Sequence, residues 1–229
     1  MNIKDRNNTI GAVVAELPKA TEIFKEYGID YCCGGHRLLA DVLKEQNIYE
    51  DEVYDKLQQA EEERRNLYSG EGNNFKEMSP EVLSAYIEDT HHSYLRKALP
   101  EIAELLSIVL RAHGKNHKEL FDVYRLFGQL KADLEQHLLK EETLVFPIVG
   151  EAEENLKEIK DLTHEIITEH EAAGEVLREL RSITKDYQLP EDACKTFEKA
   201  YEKLEELEQD LHQHIHLENN ILLIQYSDR

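Results

Sequence analysis

The sequence predicts an all-α protein, an antiparallel four-helix bundle preceded by a small helical domain. Three observations predict it. Long stretches are rich in Glu, Lys, Leu and Ala, which favour helices, and the 229 residues include only five prolines and ten glycines, most at junctions. Four separate stretches repeat apolar residues at alternating steps of three and four, the period of a core-facing helix. Alternating strand-like segments are nearly absent.

Residues 1–66 are expected to form the small domain, with short helices over 10–27, 38–45 and 48–66. Alone it buries little surface, so it should lean on the bundle or on a second copy, which would make a homodimer. Residues 67–78 read as a linker, since 67–74 are mostly small and polar. Ser79-Pro80-Glu81 then reads as a helix start, serine capping and proline in the first turn. The bundle is expected over residues 79–229.

Each bundle stripe is interrupted by a histidine. The first path is Val82, Ala85, Glu88, His92, Leu95, Leu99, Ile102, Leu106, Val109, and the second is Leu130, Leu134, His137, Glu141, Leu144, Ile148. The third is Ile159, Leu162, Ile166, His170, Ala173, Leu177, Leu180, and the fourth is Leu204, Leu207, Leu211, His214, Glu218, Ile221. A buried ionised carboxylate implies pairing or metal. The expected metal ligands are therefore His92, His137, Glu141, His170, His214 and Glu218. Pro100 and Pro147 should kink or end their helices locally, away from the ligands. A turn near Gly114 puts His92 and His137 at matching distances from it, hence at one level of a hairpin.

The remaining histidines carry less signal. His91 competes with His92 through a weaker path. His113 and His117 bracket Gly114 and should cap or line the end of the bundle. His164, His212 and His216 have polar helical neighbours and read as solvated.

His-x-x-x-Glu places an imidazole and a carboxylate one turn apart on one face. The histidine can then bind one metal while the glutamate bridges two. Two such pairs and two single histidines make a near-symmetric two-metal site, with open positions for water, an oxo bridge or a diatomic ligand. Imidazole with carboxylate suits iron, manganese or zinc. Ferritin-like di-iron bundles use more carboxylate and Glu-x-x-His spacing, so storage of that type is disfavoured.

The second chemical feature is Asp30-Tyr31-Cys32-Cys33-Gly34-Gly35-His36. Adjacent cysteines lack C-x-x-C spacing and are poor disulfide partners. A turn near a helix N-terminus and Arg37 should lower their pKa values, making reactive or iron-handling thiolates. The competing reading is that one cysteine packs inward and the glycines only turn the chain. Cys194, at the start of the last helix, reads as structural.

A net charge of −21 repels nucleic acid phosphates and anionic membranes. Residues 1–10 lack an apolar core, so no secretory leader is expected. No run approaches the ~18 apolar residues of a membrane span. Three cysteines make no disulfide framework, and the expected location is the cytoplasm.

The Cys-Cys-Gly-Gly segment, joined to a bundle with two His-x-x-x-Glu pairs, resembles the Repair of Iron Centers family. Leu17-Pro18-Lys19-Ala20, His113-Gly114-Lys115-Asn116-His117, Lys140-Glu141-Glu142 running into Phe146-Pro147, Glu169-His170-Glu171-Ala172-Ala173-Gly174 and His216-Leu217-Glu218-Asn219-Asn220 extend the resemblance over essentially the whole chain. The resemblance implies a hemerythrin-like bundle with two non-haem irons per chain, with or without an oxo bridge, held by the six ligands above, with Glu141 and Glu218 bridging. It matches the family's cysteine pair to Cys32 and Cys33, and puts Asp133 and Glu169 near the iron as candidates for an iron or proton path. Ile221 to Ile224 depart from relatives that continue with Phe and Pro. The implied function is repair of iron–sulfur proteins damaged by nitric oxide or peroxide, chiefly by supplying iron. Enzymatic nitric oxide reduction at the same irons, and hemerythrin-like oxygen carriage or sensing, are the alternatives.

Overall fold

The structure is a computed structural model that describes residues 2–67, 75–150 and 155–227. Among these residues there is no strand, only a single antiparallel bridge between Thr9 and Leu38. Most of the expected linker, residues 68–74, lies outside them. The chain divides into two compact units, Met1–Leu83 with Ile215–Arg229, and Ser84–His214.

The first unit begins with α1 (Ile10–Glu16), α2 (Ala20–Glu26), α3 (Leu39–Glu45) and α4 (Glu50–Leu67). Thr9 caps α1 by accepting the Ala12 N–H at 3.2 Å. The helix expected over 10–27 is in fact two. Leu17 leaves helical geometry because it precedes Pro18, whose ring disfavours that conformation. Val13, Phe24, Leu39, Leu43, Val53 and Leu57 form the buried core of these helices.

The second unit holds most of the bundle, whose first rod is α5 (Pro80–Ile87), a π-helical turn (Glu88–His92) and α6 (Ser93–His113). Ser79 caps α5 through the Val82 N–H, as expected. The second rod is α7 (Glu119–Lys140), a π-helical turn (Glu141–Val145) and the short α8 (Phe146–Val149). The third is the uninterrupted α9 (Leu156–Ile183), and the fourth is α10 (Lys195–Leu217), which runs into a π-helical turn (Glu218–Leu222). Leu99, Ile102, Phe127, Leu130, Leu177 and Leu207 are among the side chains that fill the core between the rods. Pro100 lies inside α6, which continues past it to His113. Pro147 sits in the first turn of α8, where its missing N–H costs no helical bond.

The π turns correct the stripe reading. Upstream of His92 the buried apolar residues of this rod are Leu83 and Ile87, while Val82 is 55% exposed. Beyond Glu141 they are Val145 and Val149, with Leu144 exposed, and beyond Glu218 Leu222 is buried. A π turn inserts one extra residue, so a strict three-four path slips to the wrong face on its far side.

Candidate metal centre

Within the second unit the predicted histidines converge. The Nε2 atoms of His92 and His214 lie 3.2 Å apart, and those of His137 and His170 lie 3.0 Å apart. Glu141 faces both pairs with different oxygens. Its Oε2 is 3.3 Å from His92 Nε2 and 4.0 Å from His214 Nε2. Its Oε1 is 3.2 Å from His137 Nε2 and 3.9 Å from His170 Nε2. Two imidazole nitrogens and one carboxylate oxygen on each side make two adjoining donor groups that share Glu141 and could each hold a cation. Glu218 opens the π turn four residues after His214, as Glu141 opens the π turn four residues after His137. All six predicted ligands are at most 5% exposed. His92 and His137 also share one level, as the hairpin spacing from Gly114 predicts.

The donor set fits a metal, and the outer nitrogens of two of its histidines are anchored as well. His92 Nδ1 is 2.7 Å from Glu142 Oε1, and His137 Nδ1 is 2.7 Å from Glu169 Oε2. A carboxylate on Nδ1 fixes the tautomer that presents Nε2 to the cation and makes the ring a better ligand. Arg96 binds Glu142, and Lys140 binds Glu169. Hydrogen bonding from His137, then Lys140, outweighs burial and holds Glu169 at about 2. Burial opposes ionisation of Glu142, but His92 and Arg96 together keep its pKa lowered. Glu169 thus holds the His137 ring in place, and Asp133 is exposed on α7. Glu142 was missed by sequence reasoning, although its place beside Glu141 in a π turn could have flagged it.

His91 is also buried. Its Nδ1 is 2.9 Å from Asp210 Oδ1, and its ring stacks on His214 at 5.5 Å between centroids. It braces a ligand from behind. His164 is exposed as expected, whereas His216 is buried. His216 belongs to the first unit, where Asn220 bonds its Nδ1 at 3.2 Å and burial pushes its pKa down to about 4. Its local helix neighbours are polar, so only tertiary packing could reveal this.

The thiol turn of the first unit departs from expectation. Asp30 Oδ1 accepts the N–H groups of Cys32 and Cys33 at 3.1 and 3.0 Å. The Asn220 amide donates to the Cys32 carbonyl at 3.2 Å, and a Cβ on Gly35 would collide with Asn220. Close approach therefore explains that glycine better than turn geometry does. Both thiols are buried, with Sγ atoms 3.8 Å apart. The expected lowering of pKa is wrong for Cys32. Contact with Cys33, then burial and the Asp30 carboxylate raise its thiol well above the usual range. Arg37 pairs with Glu45. Cys194 reverses its expectation too. It is exposed, and backbone N–H groups at the start of α10, with His113, bring it down to about 7.

Comparison with known proteins agrees with this geometry. The family model described as Hemerythrin HHE cation binding domain matches residues 84–225. A second, ScdA_N, a domain of unknown function (DUF542), matches residues 6–61. The chain is 30% identical to the iron-sulfur cluster repair protein ScdA of Staphylococcus epidermidis, over 95% of this chain and 96% of that one. It is 30% identical to the iron-sulfur cluster repair protein YtfE of Pectobacterium atrosepticum, over 95% of each chain. It is also 30% identical to a probable iron-sulfur cluster repair protein of Haemophilus influenzae, over 93% of each. The chain therefore belongs to the family of iron–sulfur cluster repair proteins typified by ScdA and YtfE, with a hemerythrin-type cation-binding bundle.

Proposed function

We propose that this protein holds two non-haem irons per chain and supplies iron to damaged iron–sulfur proteins in the cytoplasm. The carrying observation is the placement of Glu141 between two imidazole pairs, one for each of its oxygens. Glu218 is the second bridging carboxylate in this reading, supported by its burial and its His-x-x-x-Glu spacing. Iron in such a site is redox-active and exchanges ligands.

Glu142 and Glu169 hold His92 and His137 with Nε2 turned inward, which favours loading. The π-helical turns at Glu88–His92 and Glu141–Val145 interrupt the regular helix at His92 and Glu141, as π turns frequently do at functional sites. Cys32 and Cys33 are, in this proposal, acceptor thiols for iron, since Asp30, Cys32 and Cys33 offer donor atoms within 4.8 Å of one another. The raised Cys32 thiol is protonated at rest and loses its proton when a cation arrives.

The test mixes iron-loaded protein with a cluster protein damaged by nitric oxide. Supply requires cluster recovery matched by loss of iron from this chain. Nitrous oxide formation with an electron donor, and full retention of iron, would instead make it a nitric oxide reductase. Replacing Cys32 and Cys33 by Ser should leave bundle iron intact and slow recovery. Unchanged recovery would remove the thiols from the pathway.

A further inference from the structure

The second unit holds another group of metal-ligating side chains, far from the four histidines. His113 ends α6, His117 follows the Gly114 turn, and Asp192 and Cys194 precede α10. His113 lies 21 residues beyond His92 along the first rod, about 30 Å at helical rise. We propose that His113, His117, Asp192 and Cys194 form a separate site for one divalent transition-metal ion of the zinc class.

The geometry carries this. His113, His117 and Asp192 each offer a ligand atom, and these atoms lie within 4.8 Å of one another. Cys194 Sγ is 3.3 Å from His113 Nε2, and Asp192 Oδ1 is 2.8 Å from His117 Nε2. Around a tetrahedral ion with ordinary zinc–nitrogen and zinc–sulfur bonds, nitrogen and sulfur stand about 3.6 Å apart. The His113–Cys194 pair needs to open by only about 0.3 Å, while Cys194 stands outside the 4.8 Å group and would have to draw closer to His117 and Asp192. His117 Nδ1 is 3.0 Å from Glu119 Oε1, the carboxylate–histidine arrangement that orients a metal-binding ring. Both rings pack edge-on to Phe197, at 5.2 and 5.9 Å between centroids, which limits their rotation.

The spacing agrees, since His-x-x-x-His is usual in zinc sites. Two imidazoles, a thiolate and a carboxylate form a borderline-soft set that suits zinc, cobalt or ferrous iron over magnesium or calcium.

The test uses the full-length, iron-loaded chain titrated with Co(II). A thiolate ligand gives cobalt a near-ultraviolet charge-transfer band, which imidazole and carboxylate ligands do not give. One Co(II) per chain beyond the iron should bind with that band, and Zn(II) should bleach it. Cys194→Ser should abolish the band while iron content and circular dichroism stay unchanged. His117→Gln and Asp192→Asn should each weaken binding about tenfold or more. The Cys32→Ser, Cys33→Ser double variant should keep the band. No cobalt beyond the iron, a band that survives Cys194→Ser, or a band lost in the double variant would overturn the proposal.

Discussion

The four-histidine centre and the thiol turn both bury metal-ligating groups, yet their surroundings push in opposite directions. In the centre, Glu142 and Glu169 sit on the outer nitrogens of His92 and His137, so negative charge is aimed to favour a cation at Nε2. At the turn, Asp30 is aimed at the thiols themselves, and Cys32 is held protonated. Proximity to a carboxylate has no fixed meaning. It strengthens a ligand from behind and suppresses an anionic ligand from in front.

The largest expected effect breaks the centre. Glu141→Leu should remove the carboxylate both cation positions share, leaving no more than half the wild-type iron per chain while helicity is unchanged. Iron analysis alongside circular dichroism checks this, and full retention would refute a bridging role. A control on the same bundle separates metal binding from stability. Arg181 forms paired hydrogen bonds with the buried Glu208, including 2.9 Å from Nε to Oε1. Arg181→Met should cost about 3–5 kcal/mol in urea unfolding, because a buried carboxylate loses its partner. Iron per folded chain should not change.

A smaller effect sharpens the comparison. Glu169→Gln or Glu142→Gln should weaken metal binding about 10–100-fold in chelator competition, without removing a ligand. An unchanged affinity would mean that these carboxylates serve only surface pairing. The mildest test is chemical. In chelator-treated protein, Cys194 alkylation should rise through about pH 7, because a lowered pKa makes the thiolate prevail above that value. Cys32 should stay unreactive across the same range, being buried and raised. Equal reactivity would contradict the contrast.

The buried histidines and glutamates of the candidate centre were legible in the sequence because each interrupts an apolar helical period. Legibility stopped where the period itself changes. On α9, the rod that carries a ligand without a π turn, the path through Ile159, Ile166, His170, Leu177 and Leu180 stays buried on both sides of the histidine. On the other three rods the path fails just beyond the ligand, at Val82, Leu144 and Ile221, because of the residue inserted there. The extra residue also brings His91 inside beside His92. The burial of Cys32, Cys33 and His216 depends on packing among residues remote in sequence, which no local pattern encodes. Cys194 was misread for a related reason, since its partner His113 is 81 residues away.

The most direct measurement is iron content with Mössbauer spectroscopy on protein loaded with iron-57. The account predicts two antiferromagnetically coupled high-spin irons per chain, coupled because Glu141 and Glu218 bridge them. A single isolated iron, or two uncoupled ones, would contradict the shared-carboxylate centre on which the proposed function rests.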